Sequence, residues 1–368
     1  LLPPRGQVRA RWILPPIVDR GAKPLAEMGL LLIPYPYRIG DDAFVPSGKA
    51  DNGKWGWFRV DTTWLPDLDD ATRRSEFVRF VRNLIFEARR MGKRVDGVVL
   101  PELALDFDQF RRLCHALVGD RHLDFVISGV TQNAEGRSGN FVAMAPFFLM
   151  GTDKPRSRAG MEQVILVREK HHRWKLNPAQ IDAYGIGLDT SHSWWEDIAI
   201  LSRSLDMLVY RGTTTITTLI CEDLARVDPC QAVVRAVGPN LLVALLMDGP
   251  QLDARWAGRY ATVLAEDPGT SVLSFTSFGL IARQNDLAKY PQASAIGLWK
   301  DEASGARVLE LPRESDALML TLKSVSKTEH TLDGRSDDAT SRRWEYHSHV
   351  PVRAGQSKST WITEGRGG

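Results

Sequence analysis

The sequence predicts an α/β protein in which helices cover a layered sandwich of mixed β-sheets. Two observations support this prediction. Strand-length apolar runs alternate with helical segments over most of the 368 residues, and several of these runs follow one another with no helix between them. Parallel neighbours need a crossover connection, usually a helix, so directly consecutive strands indicate mixed rather than purely parallel sheets.

The composition is that of a globular protein with a full core. Hydrophobic residues make up 43% and charged residues 25%, which are ordinary values. The net charge of +2 is too small to indicate nucleic acid or a membrane surface as a partner. No apolar run reaches the ~18 residues of a membrane span. The three cysteines are an odd number at irregular spacing, which excludes a disulfide framework and favours the reducing cytoplasm.

Shifts in composition divide the chain into three parts. Residues 1–28 are rich in Pro and Arg and are interpreted as an N-terminal extension. Residues 29–323 form the α/β domain, and the polar residues 324–368 are interpreted as a C-terminal tail or arm. Because the sequence begins with Leu1 rather than Met, it is expected to be a piece of a longer protein.

The first elements follow from apolar runs and from the spacing of apolar residues. A strand begins at Met28, and a loop over residues 40–70 carries enough aromatic residues to pack over the domain. Residues 70–93 have apolar side chains at i, i+3, i+4 and i+7, the pattern of a half-buried helix. The other face of this helix is basic. We interpret it as a solvated face rather than a nucleic-acid surface, because Glu76 and Glu87 interrupt it.

The rest of the domain continues the alternation of helices and strands. Helices are predicted over residues 107–119, 229–238 and 255–267. The predicted strands cover residues 95–100, 124–130, 140–150, 163–176, 204–212, 213–221, 240–247, 270–279, 293–298 and 317–323.

Three polar residues stand where apolar strands end, which is where α/β folds place their active groups. Glu102 closes "VVLPE", Lys170 closes "VILVREK" and Cys221 closes "TTLIC". A Glu can serve as general base for a thiol, and a Lys supplies the positive charge that favours the thiolate and an oxyanion. The backbone N–H of Glu222, at the turn into a helix, is a second candidate oxyanion donor.

Each of these residues also has a structural interpretation. A lone Cys at a strand end is usually a small buried hydrophobe. Glu102 alone could be a charge at a helix N-terminus, and Lys170 alone could form a surface ion pair. Lys175 competes with Lys170 for the same role, and Lys170 is preferred because it directly ends the apolar strand. Cys114 and Cys230 are interpreted as non-catalytic.

The adjacent histidines His171 and His172 raise the question of a metal site. On a strand, neighbouring residues point to opposite faces, so the two rings are expected to point apart. No metal site is therefore predicted.

The motifs "VVLPELAL", "VREKHH" and "LICEDL" in this order resemble the Glu, Lys and Cys motifs of the carbon–nitrogen hydrolase (nitrilase) superfamily, over about residues 28 to 323. The resemblance implies a four-layer αββα sandwich with mixed sheets. It also implies a Glu102–Lys170–Cys221 triad without cofactor, and a homodimer or larger homo-oligomer. The family usually has a second Glu after the Lys motif. The nearest candidate here is Gln180, to which a substrate-positioning role is assigned together with Glu222.

The predicted function is hydrolysis of a non-peptide C–N bond in a small-molecule amide, through a thioacyl intermediate on Cys221. Nitrile-cleaving members of the family usually carry Cys-Trp-Glu at the nucleophile. The Cys221-Glu222-Asp223 of this chain is more similar to glutamine-amide-cleaving domains. A second hypothesis is a non-catalytic, nitrilase-like module that senses a ligand or supports assembly within a larger bacterial protein, such as a defence protein.

Overall fold

Three β-sheets organise the chain in the computed structural model, which describes residues 8–15, 26–49, 53–150, 156–212, 214–329, 339–355 and 360–363. Two of the sheets have seven strands each and the third has four. Within the predicted N-terminal extension and C-terminal tail, the residues that these ranges omit lie outside the described part of the chain.

The first seven-stranded sheet is mixed. Its strands in spatial order are β1 (Arg9–Ile13), β11 (Ser204–Tyr210), β12 (Thr214–Ile220), β13 (Leu241–Leu246), β14 (Ser271–Thr276), β15 (Ala295–Asp301) and β16 (Gly305–Glu310). Strands β12, β13 and β14 are parallel, while β14–β15 and β15–β16 are antiparallel. Every residue of β13 and β14 is buried, as expected of strands covered on both faces.

The second seven-stranded sheet is also mixed. Its strands in spatial order are β18 (Ala339–Val352), β17 (Ala317–Glu329), β2 (Glu27–Leu32), β5 (Gly97–Val99), β6 (Phe125–Gln132), β7 (Ser138–Pro146) and β8 (Leu166–Glu169). Strands β2, β5 and β6 are parallel and the flanking pairs are antiparallel. This sheet faces the first one through contacts of β7 with β12 and of β8 with β11.

Helices cover the outer faces of both sheets. The helices are α1 (Ala71–Arg90), α2 (Phe107–Leu117), α3 (Arg158–Val164), α4 (Pro178–Tyr184), α5 (Glu222–Ala225), α6 (Ala232–Val237), α7 (Trp256–Glu266), α8 (Phe278–Asp286) and α9 (Thr360–Thr363). Helices α2 and α3 pack on the second sheet, and α5 and α7 on the first. The prediction of a four-layer αββα sandwich with mixed sheets is confirmed.

A small third sheet forms from segments between these layers. It contains β3 (Phe44–Lys49), β4 (Trp55–Val60), β10 (Ser193–Glu196) and β9 (Lys175–Leu176) in spatial order. The predicted loop over residues 40–70 therefore contains a β-hairpin. Phe44 and Phe58 of the hairpin join a separate apolar cluster with Trp174 and Trp194, so this part of the segment packs down on the domain.

Both predicted extensions contribute strands. Strand β1 adds to β11 in parallel, and β18 pairs with β17 along its whole length. Trp344 of β18 is buried in the main core, and its carbonyl accepts a hydrogen bond from Ser271 Oγ at 2.5 Å. The described part of the C-terminal segment thus differs from the expected tail, because it closes one edge of the second sheet and also touches the first.

Helix α1 buries the predicted apolar stripe, from Phe77 to Ala88. One basic residue of α1, Arg74, does not lie on the solvated face that the sequence predicted. Arg74 is buried, and its Nη2 atom lies 2.7 Å from Oδ2 of Asp106, the residue that caps α2. None of the helices in the described ranges has the length and apolar character needed to span a bilayer.

Candidate active site

Glu102 lies in the turn that follows β5, and a close backbone approach fixes this turn. The N–H of Gly129 in β6 donates to the carbonyl of Pro101 at 3.0 Å. A Cβ atom added at Gly129 would lie 2.4 Å from the backbone N of Leu103 and 2.5 Å from the Cα of Glu102. Only glycine allows this approach, so Gly129 determines where the Glu102 carboxylate lies.

Gly129→Ala is expected to lower the free energy of unfolding by about 1–3 kcal/mol, the usual cost of overpacking a buried site. It should also displace Glu102. Urea unfolding monitored by fluorescence measures the first effect. Gly119→Ala is the matched control, because nothing lies within 4 Å of a Cβ added there. Equal stability of the two variants would contradict the proposed constraint.

Lys170 directly follows β8 and is completely buried. Its Nζ atom donates to Oε1 of Glu102 at 2.7 Å and to Oε2 of Glu196 at 2.8 Å. Lys175, the alternative considered from the sequence, is exposed in β9, and its ammonium lies 5.4 Å from the ring centroid of Trp195. Of the two lysines, the structure therefore brings Lys170 to Glu102.

Glu196 supplies a second buried carboxylate that the sequence analysis missed. It ends β10, and its Oε2 atom accepts a hydrogen bond from the backbone N–H of Trp174 at 2.9 Å. Gln180, the candidate taken from the sequence, instead forms a capping box with Asn177 at the start of α4. A second carboxylate beside Lys170 thus comes from Glu196, 26 residues further along the chain, and the position of Gln180 does not contribute to the site.

Asn140 of β7 joins the two carboxylates. Its Nδ2 atom donates to Oε1 of Glu102 at 2.7 Å and to Oε1 of Glu196 at 2.8 Å. Among the described residues, Glu102 Oε2 and Asn140 Oδ1 have no hydrogen-bond partner although both atoms are buried. One oxygen of Glu102 is therefore occupied by Lys170 and Asn140, and the other is available for a reacting group.

Burial and neighbouring charges determine the protonation states of Glu102 and Lys170. Burial raises the pKa of Glu102, and the nearby Glu196 charge raises it further, against the opposing charge of Lys170. Burial alone would lower the pKa of Lys170, but the two carboxylates hold that pKa well above its usual value. Lys170 is thus a fixed cation, and Glu102 is a carboxylate with increased basicity.

Cys221 follows β12 at the start of α5, in an unusual backbone conformation. Its φ is 42° and its ψ is −108°, a combination that non-glycine residues rarely adopt and that clusters at functional sites. Its N–H donates to the carbonyl of Leu245 at 2.9 Å, which anchors the turn on β13. Burial raises the pKa of the Cys221 thiol, with a further contribution from the charge of Glu102, while Lys170 acts in the opposite direction. Cys221 therefore lies within electrostatic reach of both Glu102 and Lys170.

The two acidic residues after Cys221 have different environments. The Glu222 side chain is partly exposed and pairs with Arg226, whose Nη2 lies 3.3 Å from Oε2 of Glu222. The backbone N–H of Glu222 is the first of α5, where N–H groups have no partner within the helix. Asp223 is completely buried. Although burial opposes it, the neighbouring His171, a hydrogen bond from His172 and the charge of Arg168 hold the pKa of Asp223 at about 2.

The expectation that the two histidine rings point apart is wrong. Nδ1 of His172 lies 3.1 Å from Oδ1 of Asp223, and Nδ1 of His171 lies 4.0 Å from Oδ2 of the same carboxylate. The prediction assumed a continuous strand. The strand β8 instead ends at Glu169, and the chain bends at the histidines so that both approach one carboxylate.

Among the described residues, His171, Asp223 and Cys230 form a group with the donor atoms of a metal site. The hydrogen bonds do not favour one. His171 Nε2 accepts from the N–H of Ser204 at 3.1 Å and also faces a guanidinium N–H of Arg168 at 3.2 Å. The ring proton therefore lies on Nδ1, which points at Cys230 Sγ 2.7 Å away. A metal would need this nitrogen deprotonated, so the group is satisfied as a buried hydrogen-bond network.

Two large cavities lie near the residues of the candidate site. One, of about 850 Å³, has a lining that includes Tyr184, Asp248 and Arg255. The charge of Asp248 acts on Cys221. The other, of about 820 Å³, is lined by residues of the 40–70 segment together with Leu103 and Glu196. Glu102, Lys170 and Cys221 themselves are buried, with Cys221 3% exposed.

Comparison with known proteins gives similarities to solved structures. No family model and no curated protein matches the chain. An amidase from Nesterenkonia sp. is 12% identical, with 83% of this chain and 92% of that chain covered and a TM-score of 0.45. A glutamine-dependent NAD+ synthetase from Acinetobacter baumannii is 10% identical, with 90% and 49% covered and a TM-score of 0.43. Nit3 of Saccharomyces cerevisiae, a nitrilase-superfamily member, is 13% identical, with 76% and 84% covered and a TM-score of 0.37. These similarities describe the overall fold and say nothing about what this chain does.

Proposed function

We propose that the chain hydrolyses the C–N bond of a small amide through a thioacyl intermediate on Cys221. The observation that carries the proposal is the buried ammonium of Lys170, held at 2.7 Å from Glu102 and 2.8 Å from Glu196 and within electrostatic reach of Cys221. A buried cation with two carboxylates beside a thiol combines a base, an oxyanion partner and a nucleophile.

The first half of the reaction forms the thioester. The available oxygen of Glu102 takes the thiol proton as Cys221 Sγ bonds to the amide carbonyl carbon. The carbonyl π electrons move to oxygen, and the Lys170 ammonium and the Glu222 N–H stabilise the oxyanion. When the oxyanion collapses, the C–N bond breaks and Glu102 returns its proton to the leaving nitrogen. Ammonia or an amine departs, and the acyl group stays on sulfur.

The second half releases the acid. Water attacks the thioester carbonyl while Glu102 takes a proton from it, and the same donors stabilise the second oxyanion. The C–S bond then breaks, and the proton on Glu102 returns to Cys221. Glu196 accepts a hydrogen bond from Lys170 and keeps its ammonium in place throughout, so we assign it a positioning role.

The raised pKa of Glu102 has a measurable consequence for the pH profile. Its carboxylate is available as a base only above that pKa. We therefore expect the acid limb of the activity profile to lie above the ~4.3 of an ordinary glutamate. Steady-state rates between pH 4 and 9 give this limb. Glu102→Gln should abolish turnover, whereas Glu222→Gln, which changes a side chain paired at the surface, should leave the limb in place. A limb at the ordinary glutamate value would contradict the assignment.

A panel of small primary and secondary amides with their matched nitriles tests the reaction class. We expect ammonia or amine release from at least one amide, and slower turnover of the corresponding nitrile. A nitrile has no leaving amine at the first step, so the proton that Glu102 returns would not be used there. Faster release from nitriles would overturn the assignment to amides.

The burial of the triad favours one alternative, a non-catalytic module that binds a ligand without turning it over. Cys221 is 3% exposed, and burial raises the pKa of its thiol. Chloroacetamide distinguishes the two functions. A single adduct on Cys221, detected by peptide mass analysis, supports an amide-accepting nucleophile. An unmodified Cys221 together with no turnover of the panel supports the binding module.

A further inference from the structure

A third large cavity lies away from the triad, where β1 meets the end of β8. Its volume is about 830 Å³, within the range of small-ligand sites. Its walls come from β1, from the residues around Glu169 and from the segment 201–204. Neither Glu102, Lys170 nor Cys221 lines this cavity, so it is separate from the proposed active site.

Four arginines line the cavity, and one of them is buried without a counter-charge. The residues are Arg9, Arg11, Arg168 and Arg203. Arg203 is 9% exposed, and its buried Nε atom has no hydrogen-bond partner among the described residues. Its guanidinium also forms no ion pair within the described part of the chain. Arginine does not lose its proton in proteins, so this charge persists at every working pH.

The carboxylates around the cavity are already engaged by other groups. Oε1 of Glu169 accepts from Arg137 Nη1 at 2.7 Å, and Oε2 accepts from the N–H groups of Leu201 and Ser202 at 3.0 Å. Asp206 pairs with Arg11, with 2.7 Å between Nε and Oδ1.

Asp223, a further buried acid, is 3.5 Å from Nη1 of Arg168. The positive charge of Arg203 is therefore not neutralised by any of these acids. Arg9 adds a second uncompensated charge, since it makes no ion pair with a described residue. Two residues apart on β1, Arg9 and Arg11 point to the same side of the sheet.

We propose that this cavity, named here the Arg203 cavity after its buried guanidinium, is a binding site for an oxyanion, either a carboxylate or a phosphate. A guanidinium presents a planar set of N–H donors that matches both groups. A charge buried without a partner is unfavourable, and an anion would remove that cost. The buried Arg203 forms the floor of the site, and the exposed Arg9 lies at its rim.

Thermal unfolding and titration calorimetry test the proposal on the whole chain. Inorganic phosphate and malonate serve as probes, with sodium chloride at the same ionic strength as reference. At least one probe should raise the melting temperature and give a saturable heat. A response to phosphate alone identifies a phosphate-bearing ligand, a response to malonate alone identifies a carboxylate, and equal responses identify a general oxyanion site. No response to either probe overturns the proposal.

Substitutions of single arginines test whether the probes bind in the Arg203 cavity. Arg203→Met should weaken probe binding about ten- to a hundredfold, the effect of losing one charged hydrogen-bond partner. In chloride it should melt no lower than the wild type, since it removes an unpaired buried charge. Arg9→Met, at the exposed rim, tests the site without touching the core and should weaken binding severalfold. Arg259→Met, an exposed arginine of α7, is the matched control. Unchanged binding in both the Arg203 and the Arg9 variants would overturn the assignment.

Discussion

Cys221→Ala is expected to lower amide turnover by a factor on the order of 10⁴ or more, because the substitution removes the atom that carries the acyl group. The fold should persist. The change removes one buried sulfur atom, and the unfolding free energy should fall by about 1 kcal/mol. Alanine is also no more strained than cysteine at the φ of 42° found there. Ammonia release and urea unfolding of the same preparation give both quantities.

Cys114→Ala is the matched control for this experiment. Cys114 is equally buried, but it lies in α2 within the main apolar core. Its removal should leave turnover within about twofold of the wild type. Cys230 is a poorer control because its sulfur contacts His171. Full activity in Cys221→Ala would exclude a thioacyl mechanism.

Lys170→Met should reduce both catalysis and stability. Loss of an oxyanion partner costs on the order of 10²–10³ in rate. The same change leaves Glu102 and Glu196 buried without their cation, and breaking a buried ion pair typically costs about 3–5 kcal/mol. Lys175→Met, at an exposed position in β9, should change neither quantity by a comparable amount. A variant at position 170 as stable as the wild type would contradict the ion pairing.

The destabilisation of Lys170→Met should depend on pH in a definite direction. Without the ammonium, the burial that already raises the pKa of Glu102 is no longer opposed by a nearby cation, so that pKa should rise further above the ~4.3 of the unfolded chain. Groups with a raised folded-state pKa favour folding below the unfolded pKa, and this contribution is lost as pH rises through the folded value. The stability difference from the wild type should therefore be smallest near pH 4 and grow toward pH 8. Urea unfolding across that range measures it.

The positions of Glu102, Lys170 and Cys221 were predictable because each lies at or shortly after the end of a strand, so its place depends on the sheet. The position of Glu196 was not predictable. Glu196 ends a four-residue strand whose position depends on parallel pairing with β4. No local sequence pattern indicates that pairing. The sequence Ser193-Trp194-Trp195-Glu196 has no apolar–polar alternation, although Trp194 and Glu196 share the buried face of the strand. Nothing local in the sequence therefore shows that this carboxylate reaches Lys170.

The burial of Arg74, by contrast, was indicated by the sequence. It stands three residues before Phe77 and seven before Val81, so the helical period already placed it on the buried stripe. The sequence interpretation assigned Arg74 to the solvated face because of its charge, although its position in the helical period favoured the buried face. Asp106 compensates the buried charge, because its Oδ2 atom lies 2.7 Å from Nη2 of Arg74. Polar residues of β18 misled in a similar way, since an edge strand keeps one face in water and its composition resembles that of a tail.

The position of β2 within the second sheet has a consequence for synthesis of the protein. Leu32 of β2 pairs with Leu318 of β17, so the neighbour on one side of β2 is translated long after β2 itself. Until residues 317–329 leave the ribosome, β2 presents an unpaired edge whose side chains from Met28 to Leu32 are destined for the core. Such edges pair readily with other chains. Nascent chains that stop before this point should therefore aggregate or recruit chaperones, and the domain should complete its fold only at a late stage of translation.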